Sequence, residues 1–213
     1  MIILLSPSKE MTKQTEKSQR PVILLDKAKE LSQASDFLGD KAHYQALNLY
    51  NGLQYRYLKK DLNSDDLAFL DQRLYIISAL YGLVRPLDGI RPYRKDFKSK
   101  GLYKAWGDTL YKVLSQQESP ILNLASKEFS KTITPYLNTN DRFITVDFKE
   151  ASADGELKTH STISKKGRGQ MVNFIARERI TDINAIKNFT DMAYSYRDDL
   201  SNDAHWVFVR PKD

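Results

Sequence analysis

The chain has 213 residues, is 41% hydrophobic and 28% charged, and carries a net charge of +6 at pH 7. This composition is typical of a folded globular protein and excludes a disordered chain. The sequence contains no cysteine, which excludes disulfides, thiolate zinc sites, iron–sulfur clusters and a cysteine nucleophile.

The first half of the chain contains short apolar runs separated by polar stretches. In chain order, it predicts a buried strand over 1–5, a loop over 10–22, helices over 23–33, 41–50 and 65–72, a buried strand over 74–77 and a turn-rich stretch over 81–88. The cluster Ser64-Asp65-Asp66 is a suitable N-cap for the third helix. Asn51-Gly52 is expected to end the second helix.

The second half shows the same alternation. It predicts a helix over 102–115, a strand over 120–124, a helix over 126–133, a strand over 142–149, a hairpin turn at Asp154-Gly155 with a return strand over 156–164, helices over 165–180 and 182–188, and a strand over 205–209. The irregular order predicts an α+β fold with a mixed β-sheet surrounded by helices. Since no repeat or linker is visible, we predict a single domain over residues 1–213.

Positive charge is concentrated in two segments. Residues 85–100 contain six basic and two acidic side chains, and residues 158–179 contain six basic and one acidic side chain. If the fold brings both segments together, they form a cationic surface that attracts phosphate groups. The alternative is a solvated basic face that binds no ligand.

Polar residues follow the first predicted strand directly. Ser6 could donate a hydrogen bond to a phosphate group, and Lys9 could neutralise its charge. Ligands of α/β proteins often bind beyond strand ends, where such side chains converge. The alternative is a turn that only caps the strand.

The stretch from Tyr81 to Arg94 combines turn residues with cations. Arg85, Arg91 and Arg94 lie on a segment stiffened by two prolines, which favours bidentate phosphate binding, and Tyr93 adjoins the last of them. Asp88 could orient an arginine or act as an acid or base. A buried structural pair between Arg85 and Asp88 is the alternative.

A third candidate site surrounds two glycines. Lys165, Lys166 and Arg168 flank Gly167 and Gly169 at the predicted start of a helix. Glycines allow backbone N–H groups to approach a ligand, and a helix start favours anions. The pattern matches neither the Walker loop nor the dinucleotide fingerprint, so it predicts only a generic anion site.

Several motifs occur in order along the chain. Residues 3–9 are similar to a first strand with a Ser-Pro-Ala-Lys turn, and residues 80–88 are similar to the signature Leu-Tyr-Gly-x-Leu-Arg-Pro-Leu-Asp. Further matches are Pro92-Tyr93-Arg94, Leu102-Tyr103, Trp106-Gly107-Asp108, Asn123-Leu124-Ala125-Ser126 and Lys165-Lys166-Gly167-Arg168-Gly169 with Met171 and Phe174-Ile175. Together these motifs resemble those of the YaaA family, although Ser8 and Gly167 replace alanines of that family.

The resemblance implies a role in bacterial peroxide-stress defence that limits damage from intracellular iron. It also implies a compact α+β fold peculiar to the family, a positively charged cleft, and DNA binding through a helix-hairpin-helix-like element, which we place near Ile77–Asp88. Such a hairpin holds phosphate groups without reading base sequence. Its pattern usually contains two glycines, whereas here Ala79 occupies the first position and Gly82 the second.

Three classes of function are therefore compared. The leading hypothesis is a stress protein that binds single- or double-stranded DNA without sequence specificity. The alternative is an enzyme that acts on a small anionic ligand, namely a nucleotide-like or phosphorylated small molecule. Its pocket would be formed by Ser6, Lys9, Arg85, Asp88, Asn123 and Arg168. Direct iron sequestration is disfavoured, because the chain lacks cysteine and any Glu-x-x-His pair.

The remaining expectations concern cofactors and location. The histidines His43, His160 and His205 follow no metal-ligand spacing, so we predict neither a metal site nor a cofactor. The apolar start is too short for a signal peptide, and no apolar run approaches the length of a membrane span. We therefore expect a cytoplasmic protein without a membrane partner.

Overall fold

A computed structural model describes residues 1–212 of the protein. Its strands are β1 (Ile2–Leu5), β2 (Tyr44–Gln45), β3 (Leu74–Ser78), β4 (Gly82–Val84), β5 (Gly89–Ile90), β6 (Ile121–Leu124), β7 (Phe143–Ala151), β8 (Leu157–Lys158), β9 (Ser195–Tyr196) and β10 (His205–Pro211). Eight of them form one mixed sheet in the order β4-β3-β1-β6-β7-β10-β9, with β8 beside β7. Strands β2 and β5 form a separate antiparallel pair.

The helices pack on both faces of this sheet. They are α1 (Leu25–Leu31), α2 (Ala46–Leu49), α3 (Leu53–Leu58), α4 (Ser64–Asp71), α5 (Leu102–Trp106), α6 (Thr109–Ser115), α7 (Lys127–Ser130) and α8 (Ser161–Arg177), with 3-10 turns at Ala34–Asp36, Thr134–Tyr136, Ile183–Asn188, Asp191–Ala193 and Asp198–Leu200. No helix within residues 1–212 has both the length and the hydropathy needed to span a bilayer.

The five central strands β3, β1, β6, β7 and β10 run parallel to one another. In β1, Ile3 and Leu5 face a core shared with α3, α4 and α8, whereas Ile2 and Leu4 face a second core shared with α5 and α6. Because both faces of such a strand are buried, its sequence is a continuous apolar run. The predicted mixed sheet surrounded by helices is confirmed.

The connections that leave β1 and β6 cover opposite faces of the sheet. The crossover from β1 to β3 contributes Leu58 and Leu70 to the first core. The crossover from β6 to β7 contributes Ile133 and Phe129 to the second. Two neighbouring parallel strands whose connections diverge in this way leave a crevice at their carboxyl ends, the usual ligand position of open α/β sheets.

Most of the predicted elements are present. The strands predicted over 1–5, 74–77, 120–124, 142–149 and 205–209 correspond to β1, β3, β6, β7 and β10. The turn at Asp154-Gly155 joins β7 to the antiparallel β8. Helix α1 lies within its predicted range, and α4 begins one residue before its predicted range. The cap of α4 is Asn63 rather than Ser64, because its side-chain oxygen accepts hydrogen bonds from the N–H groups of Asp65 and Asp66.

Three predicted helices differ from the structure. The helix predicted over 41–50 is instead β2, paired with β5, followed by the single turn α2, and α3 was not predicted. The helix predicted over 102–115 is divided into α5 and α6 by Gly107, whose φ of 51° ends the first one. The helix predicted over 126–133 ends at Ser130.

The prediction of a helix-hairpin-helix-like element near Ile77–Asp88 is wrong. This stretch is a β-hairpin in which β4 pairs antiparallel with β3. Gly82 adopts a φ of +73° directly against Trp106, where a Cβ atom would lie 2.8 Å from the indole ring. Close packing of this hairpin against α5 therefore explains the glycine, and no helix start is available there to hold a phosphate.

The anion site predicted at the start of a helix over 165–180 is also wrong in its geometry. Helix α8 begins at Ser161, and the return strand predicted over 156–164 is reduced to β8. Gly167 and Gly169 therefore lie inside the helix and are buried against the Phe148 ring and the Gln54 carbonyl oxygen. Their backbone N–H groups belong to a helix interior, so only the side chains of this segment can serve a ligand.

Candidate functional site

A cleft of about 660 Å³ opens at the carboxyl ends of β1 and β6. It occupies the crevice predicted by the diverging connections of these two strands. We call it the strand-end cleft. Its walls come from the loop after β1, the start of α3, the segment 93–99, the start of α7 and one side of α8. Its lining includes Ser6, Ser8, Lys9, Glu10, Gly52, Gln54, Tyr55, Arg56, Tyr93, Arg94, Lys95, Asp96, Ser126, Glu128, Phe129, Lys165 and Arg168.

Ser6 joins the two strand ends at the base of the cleft. Its side-chain oxygen accepts a hydrogen bond from the Ser126 N–H at 2.8 Å and donates to the Ser126 hydroxyl at 3.4 Å. Its carbonyl oxygen accepts hydrogen bonds from the Gln54 amide at 3.1 Å and the Tyr55 hydroxyl at 2.8 Å. Because β1, β6 and α3 all hold Ser6, its hydroxyl has a fixed position.

Ser8 fixes the loop that follows. Its hydroxyl oxygen accepts hydrogen bonds from the N–H groups of Gly52 at 3.0 Å and Glu10 at 3.1 Å. A Cβ atom at Gly52 would lie 2.3 Å from this oxygen, so a glycine is needed for the loop to approach α3. This contact holds Lys9 and Glu10 at the rim of the cleft.

The cleft contains more cations than acids. Its basic side chains are Lys9, Arg56, Arg94, Lys95, Lys165 and Arg168, and its acidic side chains are Glu10, Asp96 and Glu128. Both predicted basic segments contribute, the first through Arg94 and Lys95 and the second through Lys165 and Arg168.

Some of these cations are already paired. Lys9 lies 3.4 Å from Asp96, Arg56 lies 2.9 Å from Glu10, and Lys95 lies 2.7 Å from Asp36. Arg94 donates to the Lys9 carbonyl oxygen at 3.0 Å. Within residues 1–212, no carboxylate oxygen lies within 4 Å of the Lys165 amine or the Arg168 guanidinium.

Arg168 is the most unusual of these side chains. Its Nε atom is buried and has no hydrogen-bond partner in the described part of the chain. Burial lowers the pKa of Arg168, and the charge of Asp147 opposes this from beyond ion-pair distance. A buried charge without a partner is strongly unfavourable. The geometry therefore suits an anion that enters the cleft.

Tyr93 lines the cleft but is held by a buried hydroxyl network. Its hydroxyl lies 2.9 Å from that of Tyr50 and accepts a hydrogen bond from Ser78 at 2.8 Å. Burial raises the pKa of Tyr93, while the hydrogen bonds of Ser78 and Tyr50 lower it. The phenol is therefore engaged within the fold.

Arg85 and Asp88 do not line the cleft. Asp88 is fully buried and accepts hydrogen bonds from the Arg20 side chain at 2.7 Å and the Arg85 N–H at 2.8 Å. Burial raises the pKa of Asp88, and the hydrogen bonds and charges of Arg85 and Arg20 act against it. Arg20 also binds both oxygens of Asp71 at 2.6 Å. We call Arg20, Asp71, Arg85 and Asp88 the Arg20 cluster.

Three more predicted residues lie outside the cleft. Arg91 donates to the Asp40 carbonyl oxygen at 2.9 Å and lies over the Phe37 ring at 4.1 Å. The Lys166 amine lies 5.8 Å from the centre of the Tyr57 ring. Asn123 is buried and donates to the Thr145 hydroxyl at 3.2 Å. Of the predicted site residues, the cleft brings together Ser6, Lys9, Tyr93, Arg94, Lys165 and Arg168.

Sequence reasoning missed the wall formed by α3. Gln54 and Arg56 line the cleft, but the alternation of apolar and polar residues from Leu53 to Leu58 is more typical of a strand than of a helix. Ser126 follows β6 directly, so the rule that selected Ser6 after β1 also applies to it.

This architecture defines a class of protein: an α/β protein with a mainly parallel sheet and a cleft at its topological switch point, lined by six basic and three acidic side chains among others. The family model described as "Peroxide stress protein YaaA" matches residues 24–200. The chain therefore belongs to the peroxide stress protein YaaA family.

Relatives in other bacteria carry the name UPF0246 protein. That of Lacticaseibacillus casei is 40% identical over 172 residues, covering 77% of this chain and 69% of its own. That of Limosilactobacillus fermentum is 38% identical over an alignment of 247 residues, covering 99% and 100%. That of Clostridioides difficile is 36% identical over 179 residues, covering 80% and 72%.

Proposed function

We propose that this protein contributes to peroxide-stress defence by binding DNA, with backbone phosphates held in the strand-end cleft. The observation that carries the proposal is the half-buried side chain of Arg168, which lines the cleft and whose buried Nε atom has no hydrogen-bond partner in the described part of the chain. A phosphate group would supply both the charge and the acceptor oxygens that this side chain lacks.

The surroundings of Arg168 support a phosphate ligand. Lys165 lies one helical turn earlier on α8 and also faces the cleft. Ser6 and Ser126 place hydroxyl groups at the base, and Arg94 adds a guanidinium at the rim. Contacts of this kind bind the nucleic-acid backbone without reading base sequence.

The test is a salt titration of DNA binding by fluorescence anisotropy with wild type, Lys165→Gln and Arg168→Gln. Each cleft cation that neutralises a phosphate should reduce the slope of log affinity against log salt by about 0.7–0.9. Lys166→Gln is the matched control, because it removes the same charge from the next position of α8 but lies outside the cleft.

Two outcomes separate the possibilities. A reduced slope for Lys165→Gln and Arg168→Gln, with the wild-type slope for Lys166→Gln, supports DNA binding in the cleft. If all three variants lose affinity equally, DNA binds to a diffuse basic surface and the proposed site is rejected. If DNA binds weakly and none of the substitutions changes it, DNA binding itself is rejected.

The effect on iron-dependent damage belongs to the same proposal. We propose that the protein acts on the target of that damage, the bound DNA, and only indirectly on iron. Within residues 1–212, no group of three or more histidine, aspartate or glutamate side chains is placed to hold a metal ion, and the sequence contains no cysteine. Iron uptake from solution by the purified protein would contradict this part.

A second candidate function is an enzyme that acts on a nucleotide-like or phosphorylated small molecule. The observation that favours it is the position of the cleft at a switch point, where many α/β enzymes bind small ligands. Its weakness is that, in the part of the chain described, the Ser6 hydroxyl contacts Ser126 but no histidine or carboxylate that could activate it. Calorimetric titration with nucleotides tests this candidate, since tight saturable binding would favour it over DNA.

A further inference from the structure

One wall of the strand-end cleft is aromatic. Phe129, in α7, is half-buried and lines the cleft. Behind it, the Phe97 ring packs edge-on at 5.7 Å and itself stacks on the Tyr103 ring at 5.0 Å. The Tyr103 hydroxyl donates to the Glu128 carbonyl oxygen at 2.8 Å, which fixes α7 against these rings. Phe129 is thus a supported aromatic surface that faces the cleft.

We propose that the strand-end cleft receives one unpaired nucleotide of a DNA strand, with its base stacked on Phe129 and its phosphate bound by Arg168 and Lys165. This inference rests on the proposed function and specifies the form of DNA that the cleft accepts. Cationic side chains combined with an aromatic ring are the usual means of binding single-stranded nucleic acid.

The charges of the cleft give the nucleotide one orientation. Glu128 precedes Phe129 in the chain and also lines the cleft, so a phosphate at the aromatic wall would face a carboxylate. Lys165 and Arg168, which pair with no carboxylate in the described chain, both belong to α8, whereas Arg94 is held by the Lys9 carbonyl oxygen. The phosphate is therefore expected at α8 and the uncharged base at α7.

The size of the cleft suits a single nucleotide. Its volume of about 660 Å³ is that of a small-molecule pocket. A base inside a duplex is paired and stacked on both sides, and it reaches such a pocket only after it leaves the helix. A bulged or single-stranded nucleotide has already lost this stacking, so it should bind more tightly than a duplex.

The experiment measures affinity for four DNA ligands: a single strand and three duplexes of matched length, one flush, one with a single bulged nucleotide and one with an abasic bulge. The duplexes are compared with one another, because a single strand has a lower charge density. Wild type is expected to prefer the bulged duplex over the flush duplex by about tenfold and to lose most of this preference when the bulge is abasic. The abasic arm uses unaltered protein, so it does not depend on whether a variant folds.

Phe129→Leu tests the stacking surface directly. It keeps an apolar side chain but removes the ring, so the preference for the bulged duplex should fall about tenfold while the salt slope stays at the wild-type value. Tyr136→Leu is the matched control, because Tyr136 is an exposed ring that does not line the cleft.

The outcomes distinguish this inference from the proposed function. If flush and bulged duplexes bind equally and Phe129→Leu resembles wild type, the inference is rejected, although Arg168→Gln can still reduce the salt slope. If Arg168→Gln has no effect either, the proposed function fails as well. A free deoxynucleoside monophosphate that binds as tightly as the strand would overturn a DNA strand as the source of the nucleotide.

Discussion

The Arg20 cluster and the strand-end cleft each contain a partly buried arginine, but the charge of that arginine is neutralised in the first and, within residues 1–212, has no carboxylate partner in the second. Arg20 is bound by two carboxylates, with contacts of 2.6–2.7 Å to Asp71 and Asp88. Arg168 has no carboxylate within 4 Å in the described chain and no hydrogen bond at Nε. A neutralised cluster stabilises the fold, whereas an unpaired cation in a cleft is available to a ligand.

The first test of this comparison is the substitution Arg20→Met, which asks whether the Arg20 cluster stabilises the fold. It keeps the apolar stem but leaves Asp88, which is fully buried, without its main countercharge. Because Arg20 is 32% exposed, we expect a loss in the free energy of unfolding of about 2–3 kcal/mol, at the low end for a broken buried pair. Urea denaturation measures it, and Arg197→Met, which breaks an exposed ion pair with Asp199, should leave the midpoint unchanged.

The stability loss caused by Arg20→Met should depend on pH in a defined direction. Burial already raises the pKa of Asp88 in the folded protein, and loss of Arg20 removes one group that lowers it. A carboxyl whose folded pKa lies above its unfolded pKa destabilises the protein when it is ionised. The penalty is complete above the folded pKa and disappears as the pH falls towards the unfolded pKa. The deficit of Arg20→Met should therefore be smaller at about pH 5 than near neutral pH. A deficit that grows on acidification would contradict this account.

Gly169→Ala tests the close contact that positions α8, the helix that carries Arg168. A Cβ atom at this position would lie 2.1 Å from the Gln54 carbonyl oxygen, so α8 and α3 must separate. We expect a loss of about 2 kcal/mol in the free energy of unfolding, because this strain exceeds the gain of about 1 kcal/mol in helix propensity. Thr162→Ala, at an exposed position of α8, should be neutral or slightly stabilising; a neutral Gly169→Ala would disprove the close contact.

The same glycine shows where prediction from sequence succeeds and fails. The strands β1, β3 and β6 were predictable because burial on both faces makes each a continuous apolar run. The start of α8 was not, because two glycines lower helix propensity, and only packing against Phe148 and Gln54 explains them.

The cleft itself was predictable in part. Ser6 was found because it follows a buried strand, and Lys165 and Arg168 because they lie in a basic segment. The roles of Arg85 and Asp88 depend on Arg20, which lies in a loop 68 residues before Asp88 and has no local pattern that indicates the pairing. Charge counts therefore identified the cations but could not show which of them the fold neutralises.

Arg168→Met makes the same Arg-to-Met change in the strand-end cleft. It should raise the free energy of unfolding, whereas Arg20→Met should lower it. The change at Arg168 removes a half-buried charge that has no carboxylate partner in the described chain but keeps the apolar stem, so the free energy of unfolding should rise by about 1 kcal/mol. DNA affinity should fall in the same variant, which is the usual trade-off at a functional site. Arg168→Lys keeps the charge and should lack the stability gain. A loss as large as that of Arg20→Met would instead show that Arg168 has a structural partner.

Asp96→Asn tests the intermediate case, a cleft cation held only by an exposed partner. Lys9 and Asp96 are 3.4 Å apart with 68% and 30% of their side chains exposed, so the pair should add little stability. Asn keeps the oxygen that accepts from the Lys98 N–H, so the loop should stay in place. Freed from the carboxylate, Lys9 should raise DNA affinity by about two- to threefold at low salt, and the gain should disappear at high salt. Asp199→Asn removes the same charge outside the cleft, so an equal gain there would mean that net charge matters rather than the position of Lys9. A gain confined to Asp96→Asn would show that the cleft holds two kinds of cation. In the described chain, Lys165 and Arg168 have no carboxylate partner, whereas Lys9 becomes available only when the ligand competes with Asp96.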